Sequence, residues 1–191
     1  MSHSTTALVR LLDRDPDFII DLRYATANNF TGKVIYESGE CYIHPGTADM
    51  LIQARNRFRE LGYRVKVWDA YRPLKAQRTL WDVVPDDRFV ARPPDMSRIR
   101  EFRASHLNGM CVDITLTDLE GNELVMPTEF DEFGPLAGLE RNDHDTEGYR
   151  NAKLMCDVME SVGFESYDNE WWHFFDRRST PTPYLDIDIK K

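Results

Sequence analysis

The chain has 191 residues, of which 41% are hydrophobic and 30% charged, and this suits one well-packed soluble domain. Its net charge of -9, from 24 basic and 33 acidic residues, argues against a nucleic-acid-binding protein, which would carry a basic patch. No run approaches the roughly 18 apolar residues of a membrane helix, and the first residues lack a signal-peptide pattern, so we predict a cytoplasmic protein.

The first half of the chain predicts a helix, a strand and a second helix. Residues 49–61 carry apolar side chains at helical spacing and are followed by Gly62, a typical helix stop. Residues 64–71 alternate and are rich in β-forming types, which favours a strand. Residues 74–84 are predicted to form a short helix, and the proline-rich stretch 91–95 a surface loop.

The second half of the chain predicts mainly strands around one long helix. The helix spans residues 146–162, where apolar side chains recur at helical spacing up to Gly163. Strands are predicted at 111–116, 164–167 and 171–175, with a hairpin return at 123–126. This order of elements predicts an α+β fold, a single compact domain with a mainly antiparallel sheet flanked by helices.

The cysteines and three of the five histidines favour no metal site. The three cysteines are widely spaced without a CxxC pair, which argues against a disulfide framework and a cysteine zinc site. His3 lies at the terminus, His144 in a polar loop, and His44 before a proline where it shapes a predicted turn. A metal site would therefore use other histidines together with carboxylates.

His106 stands in a different setting, in the stretch SHLNGMCVD at 105–113. The histidine lies in a loop, Gly109 allows a turn, and a strand follows that places Asp113 on its less apolar face. If the glycine reverses the chain, the histidine and the carboxylate converge, and zinc binds both ligand types at about 2.0–2.2 Å. The alternative is that Asp113 caps a turn or pairs with an arginine.

The stretch NEWWHFFD at 169–176 supplies a second histidine and carboxylate, His173 and Glu170. In an ideal strand, residues three apart point to opposite faces. If both residues serve one ion, the chain must therefore bulge or turn near Trp171, or Glu170 must precede the strand. The alternative places Glu170 at an exposed strand end and His173 within an aromatic core.

Arg72 follows a predicted strand within DAYRP at 69–73. Pro73 ends the strand and directs the arginine away from the sheet edge. The arginine could form an ordinary surface ion pair, or it could stabilise a developing oxyanion.

Together these stretches resemble the D-alanyl-D-alanine dipeptidases, the VanX-like zinc D,D-dipeptidases of peptidase family M15. The motifs occur in family order from about residue 17 to residue 184, and the EWWH and His-x6-Asp blocks are the most specific. The matching stretches are DLRYAT at 21–26, NNF at 28–30, DAYRP at 69–73, SH at 105–106 with Gly109 and Asp113, FD at 130–131 and EWWH at 170–173.

The resemblance implies a catalytic zinc centre on a compact α+β domain that spans residues 1–191. One Zn²⁺ per chain would lie in a central cleft, bound by His106, Asp113 and His173. Glu170 would act as the catalytic base and acid, and Arg72 would stabilise the oxyanion. The implied reaction is hydrolysis of D-Ala-D-Ala or a related short dipeptide.

The resemblance also implies how the substrate is held, and one position departs from the pattern. Asp131 and Tyr24 match positions that bind the free amino end of the substrate, and Ser105 adjoins them. Resistance-type members carry a serine where this chain has Ala104, and residues 110–112 are larger than usual. These departures leave the dipeptide preference open.

Two alternatives share the same residues. The first is a zinc D,D- or L,D-carboxypeptidase that trims peptidoglycan stem peptides. The second is a non-enzymatic member whose zinc is closed by a fourth ligand, Cys111, because structural zinc sites usually have four protein ligands. The sequence does not predict the oligomeric state.

Overall fold

A computed structural model describes residues 8–139 and 145–190. The helices are α1 (Leu11–Arg14), α2 (Pro45–Glu60), α3 (Leu74–Val83) and α4 (Glu147–Val162). The strands are β1 (Val9–Arg10), β2 (Ile19–Ile20), β3 (Tyr42–Ile43), β4 (Arg64–Asp69), β5 (Cys111–Thr117), β6 (Phe164–Tyr167) and β7 (Glu170–Asp176). Two short 3₁₀ helices span Arg23–Ala25 and His106–Asn108.

The main sheet has five strands in the order β2-β4-β5-β7-β6. Only the β2–β4 pair is parallel among its described strands, and the other three pairs are antiparallel. A separate antiparallel pair joins β1 to β3. The architecture is thus α+β with a mainly antiparallel sheet flanked by helices, which confirms the predicted fold class.

Helices α2 and α4 pack against each other and against the sheet. Their apolar stripes are buried, as Phe58 of α2 and Met155 and Met159 of α4 show. Local signals fix the ends of α4, since the Thr146 side chain accepts from the Tyr149 amide and Gly163 adopts a φ of 111°. These helices and the sheet share one buried apolar core.

Two predicted boundaries and one predicted strand differ from the structure. Helix α2 begins four residues before residue 49, because Pro45 takes the first helical position and His44 caps the Gly46 amide. Strand β4 ends at Asp69, two residues early, where the chain leaves the sheet toward Arg72. The predicted return strand at 123–126 is reduced to a single bridge between residues 117 and 123.

Candidate metal centre and active-site cleft

Three neighbouring strands place polar side chains in one row across the sheet. Asp69 of β4 lies opposite Asp113 of β5, and Asp113 lies opposite His173 of β7. Directly opposed residues in antiparallel strands project from the same face. The centre of the sheet therefore presents two carboxylates and an imidazole to the same side.

His106 joins this row from the loop before β5. Its 3₁₀ helix is capped by Ser105, whose side chain accepts from the Leu107 amide, and by Asn108, whose side chain accepts from the Ser105 amide. Gly109 then turns the chain into β5 with a φ of 68°. The predicted glycine reversal that brings His106 to Asp113 is confirmed.

The donor atoms of His106, Asp113 and His173 lie within 4.8 Å of one another. His106 Nε2 is 3.3 Å from His173 Nδ1 and 3.3 Å from Asp113 Oδ2, and His173 Nδ1 is 2.8 Å from Asp113 Oδ1. Two ligands about 2.05 Å from a tetrahedral zinc ion would be about 3.3 Å apart. The donor set and its spacing fit a zinc ion.

The tautomer of His106 is set by the backbone. Its Nδ1 lies 2.6 Å from the Ala70 carbonyl oxygen, which can only accept, so Nδ1 carries the proton and the Nε2 lone pair faces the cluster. His106 and Asp113 are both buried. Among the described residues, the group of possible ligands holds three members and does not include Cys111.

Strand β7 is irregular near Trp171, which is one of the two arrangements expected if Glu170 and His173 serve one ion. Ser166 of β6 pairs with Phe174, but the next residue, Tyr167, pairs with Glu170. Residues 171–173 are thus excluded from the β6 ladder as a bulge, which re-aims side chains on this strand. Glu170 and His173 consequently line the same cleft, although they are three residues apart.

Arg72 is a buried residue with a fixed guanidinium, which excludes the alternative of a surface ion pair. Its Nε donates to Asp69 Oδ2 at 2.9 Å, and its Nη1 donates to Gln77 Oε1 at 2.9 Å. Its Nη2 lies 2.8 Å from Asp69 and 3.7 Å from Asp113 Oδ2. A guanidinium has five N–H donors, so donors remain that can serve a substrate oxygen in the cleft.

Comparison with known proteins identifies the family of the chain. A family model described as D-ala-D-ala dipeptidase, Peptidase_M15, matches residues 4–187. The chain is 35% identical over 170 residues to a D-alanyl-D-alanine dipeptidase of Escherichia coli (strain K12), covering 89% of this chain and 84% of that protein. It is 31% identical over 190 residues to one of Enterococcus faecium, covering 89% and 92%.

The chain belongs to the D-Ala-D-Ala dipeptidase family. It is therefore a peptidase, as the family and the named relatives show. A solved structure of a vancomycin-resistance D,D-pentapeptidase, VanY, in complex with Zn(II) also matches, with 15% identity, a TM-score of 0.46 and coverage of 74% of this chain and 76% of that one. No helix among residues 8–139 and 145–190 is long and apolar enough to cross a membrane.

At the other side of the cleft of this dipeptidase-family protein, Asp131 adopts a φ of 58°, an uncommon conformation for a residue other than glycine. The Tyr24 hydroxyl donates to Asp131 Oδ2 at 2.9 Å, and the Tyr24 ring lies 5.2 Å from the Arg72 guanidinium. Burial and the Asp113 charge raise the pKa of Asp131 to about 7. Such a carboxyl group would favour a cationic partner.

The pKa values of the Glu170 and Asp113 carboxyl groups are shifted in opposite directions. Burial, followed by the charges of Asp113 and Asp131, raises the pKa of Glu170 well above its ordinary value. Burial acts in the same direction on Asp113, but the neighbouring His106 and His173 outweigh it and hold the pKa of Asp113 well below its usual range. Asp113 is thus kept ionised as a ligand must be, whereas Glu170 has a strong affinity for a proton.

The site also contains residues to which the sequence alone gave no role. Asp69 is fully buried, accepts from Tyr36 at 2.6 Å and anchors Arg72. Gln77 holds the other side of Arg72 and donates to the Ala91 carbonyl at 2.6 Å. The acidic residue in DAYRP, three positions before Arg72, could have indicated that Asp69 pairs with this arginine. No local sequence pattern indicated the contact of Gln77.

The remaining predicted positions are placed as follows. Ser105 lines the cleft, while its hydroxyl caps the histidine loop. Ala104 also lines the cleft and packs with Cys111 and Phe175. His44 caps α2, as its predicted turn role implies. His3 and His144 lie outside the described residues.

Proposed function

We propose that this chain is a zinc dipeptidase that hydrolyses D-Ala-D-Ala or a related short dipeptide. One Zn²⁺ per chain would be held by His106, Asp113 and His173, and the whole chain, residues 1–191, would act as a single domain. The observation that carries the proposal is the tetrahedral spacing of these donors at the floor of a cleft of ≈ 330 Å³ that Glu170 and Arg72 also line.

When bound, zinc supplies a Lewis acid that polarises the amide carbonyl and acidifies water. Glu170 takes a proton from the attacking water and later returns it to the leaving amine, the two-way duty of a general base in hydrolysis. Its buried position favours the protonated state between these steps, because the charged carboxylate is poorly solvated there.

Arg72 stabilises the negative charge that develops on the carbonyl oxygen. Its guanidinium is held by Asp69 and Gln77 before substrate arrives, so little reorganisation is required during the reaction. A preorganised donor of this kind typically contributes about 100- to 1,000-fold in rate.

Asp131, with Tyr24 and the adjacent Ser105, binds the free amino end of the substrate. The Tyr24 hydrogen bond orients the Asp131 carboxylate in the cleft. An ammonium group pairs with this carboxylate, whereas the next residue of a longer peptide would leave it buried without a partner, which costs several kcal/mol, roughly. The cleft therefore favours dipeptides over longer chains.

The test measures hydrolysis of a dipeptide panel, with D or L residues at each position, by zinc-loaded protein. We expect D-Ala-D-Ala or a close analogue to be cleaved faster than a stem pentapeptide, and Glu170→Gln to abolish cleavage without loss of zinc. Faster release of D-Ala from the pentapeptide would instead favour the carboxypeptidase. Equal activity in Glu170→Gln would contradict the proposed base.

A further inference from the structure

The charges that line the cleft are unevenly distributed around the metal-ligand group. Asp113 belongs to that group, Arg72 is held by Asp69, and Arg88 is paired with Asp86 at 2.6 Å. Arg103 is exposed at the cleft wall and makes no ion pair with any residue in 8–139 or 145–190. The charged side chains that line the cleft are Arg72, Asp87, Arg88, Arg103, Asp113, Asp131 and Glu170.

The chain neighbours of Arg103 and Asp131 contact β7 at different positions along the strand. Phe130, which precedes Asp131, contacts Trp172 at a ring distance of 5.4 Å, on the Glu170 side of His173. Ala104, which follows Arg103, packs with Phe175 on the other side of His173. These contacts place the chain near Asp131 and the chain near Arg103 on different sides of His173 along β7, and both residues line the cleft.

Beyond His173 the strands extend further than the one residue that follows the scissile bond of a dipeptide. The pair Cys111–Phe175 lies two residues along the ladder from the pair Asp113–His173, a distance of about 7 Å. The one residue after the scissile bond spans at most about 3.6 Å when extended. A dipeptide with its amino end at Asp131 and its scissile bond near His173 would therefore place its carboxylate on the side of Cys111 and Ala104.

The backbone of Arg103 is held in place by a buried amide. Asn108 is 1% exposed, and its Nδ2 donates to the Arg103 carbonyl at 2.9 Å and to the Thr182 carbonyl at 2.8 Å. The same amide organises the loop that presents His106. The position of Arg103 at the cleft is thus coupled to that of the candidate metal ligand.

We propose that Arg103 binds the C-terminal carboxylate of the dipeptide, so that the enzyme selects substrates with both ends free. This assignment rests on the proposed dipeptidase function. Arg103 lines the cleft without an ion-pair partner among the described residues, so it can form a charge-assisted pair with the carboxylate of the substrate. Arg103 would contribute to substrate binding and leave the chemical step to Glu170 and Arg72.

The experiment compares hydrolysis of D-Ala-D-Ala and D-Ala-D-alaninamide by zinc-loaded wild type, Arg103→Gln, Arg103→Lys and the control Arg100→Gln. Arg100 is an exposed arginine of the same loop that does not line the cleft. We expect wild type and the control to prefer the free acid by about 10- to 100-fold in kcat/KM. Arg103→Gln should raise KM for the acid with little change in kcat and abolish the preference, and Arg103→Lys should restore part of it.

Two kinds of result would contradict the assignment of Arg103. If Arg103→Gln keeps the wild-type preference for the free acid, or if wild type shows no preference, Arg103 does not bind the carboxylate. If zinc-loaded wild type cleaves neither compound, the proposed function itself fails, and this assignment fails with it. Calorimetric titration of D-Ala-D-Ala into the Glu170→Gln protein, with and without Arg103→Gln, gives the same comparison without turnover.

Discussion

Asp131 combines an unfavourable backbone conformation with a carboxyl group whose pKa is raised to about 7. An unfolded aspartic acid has an ordinary value of 3.8, so the folded protein holds this proton more tightly. Between about pH 4 and 7 the unfolded chain releases the proton and the folded one keeps it, so the metal-free protein loses stability as the pH rises. The loss from this group is at most about 4 kcal/mol.

Asp131→Asn should remove this pH dependence, since asparagine keeps the shape and tolerates the left-handed conformation. We expect the metal-free variant to gain stability relative to wild type as the pH rises from 4 to 7. Urea unfolding of both proteins across this range measures the difference, in which the other titrating groups cancel to first order. A difference that is constant with pH would show that Asp131 does not titrate there.

The substitution Arg72→Lys tests whether Arg72 stabilises the oxyanion. Lysine keeps the positive charge but cannot reproduce the simultaneous contacts of the guanidinium with Asp69 and Gln77. We expect kcat for the dipeptide to fall by about 100- to 1,000-fold with a smaller change in KM. Steady-state kinetics at matched zinc occupancy provide the measurement, and a kcat within tenfold of wild type would remove Arg72 from the mechanism.

At the level of elements, the sequence predicted what depends on local periodicity. The spacing of apolar residues located α3 and α4 to within a residue. For NEWWHFFD, a bulge near Trp171 was one of two arrangements expected if Glu170 and His173 serve one ion, and β7 shows it at residues 171–173. The return strand predicted at 123–126 is reduced to one bridge from Glu123 to Thr117 and one hydrogen bond from the Leu124 amide to the Leu116 carbonyl, so the turn signal at 118–122 did not ensure continued pairing. The hydrogen bonds of Arg72 to Asp69 and Gln77 are tertiary contacts with equally little local signal.

Gly109 offers a test of the element that presents His106. A Cβ at this position would lie 2.8 Å from the His44 backbone nitrogen, whereas a Cβ at Gly121, also at positive φ, meets nothing within 4 Å. We expect Gly109→Ala to lower both the free energy of unfolding and the zinc affinity, and Gly121→Ala to show only the smaller cost of its backbone conformation. Chelator competition measures the affinity, and equal zinc binding by the two variants would contradict the proposed role of the turn.

At the scale of the whole molecule, the C-terminal segment joins parts of the site that are far apart in sequence. The Leu185 amide donates to the Leu107 carbonyl at 2.8 Å, within the histidine loop. Tyr71 precedes Arg72 in the chain. Its hydroxyl donates to the Ile187 carbonyl and accepts from the Ile187 amide, both at 2.9 Å. The end of the chain therefore braces the segments that carry His106 and Arg72, an arrangement that no motif in the sequence indicates.

Tyr71→Phe should remove both hydrogen bonds between the Tyr71 hydroxyl and Ile187 while keeping the aromatic ring. We expect a loss of about 1–2 kcal/mol in the free energy of unfolding and faster release of zinc to a chelator. Tyr42→Phe is a matched control, because its hydroxyl contacts only the exposed Glu40 among the described side chains. Zinc release at the same rate from both variants would show that the brace does not support the metal site.

The central claim is that His106, Asp113 and His173 form one zinc site. It is tested most directly by the metal content of purified, zinc-loaded protein after dialysis, for wild type and for Asp113→Asn, measured by mass spectrometry of the metal. The account predicts about one zinc ion per wild-type chain and a large loss in a variant that remains folded. Wild type with far less than one zinc ion per chain, or full zinc content in Asp113→Asn, would contradict it.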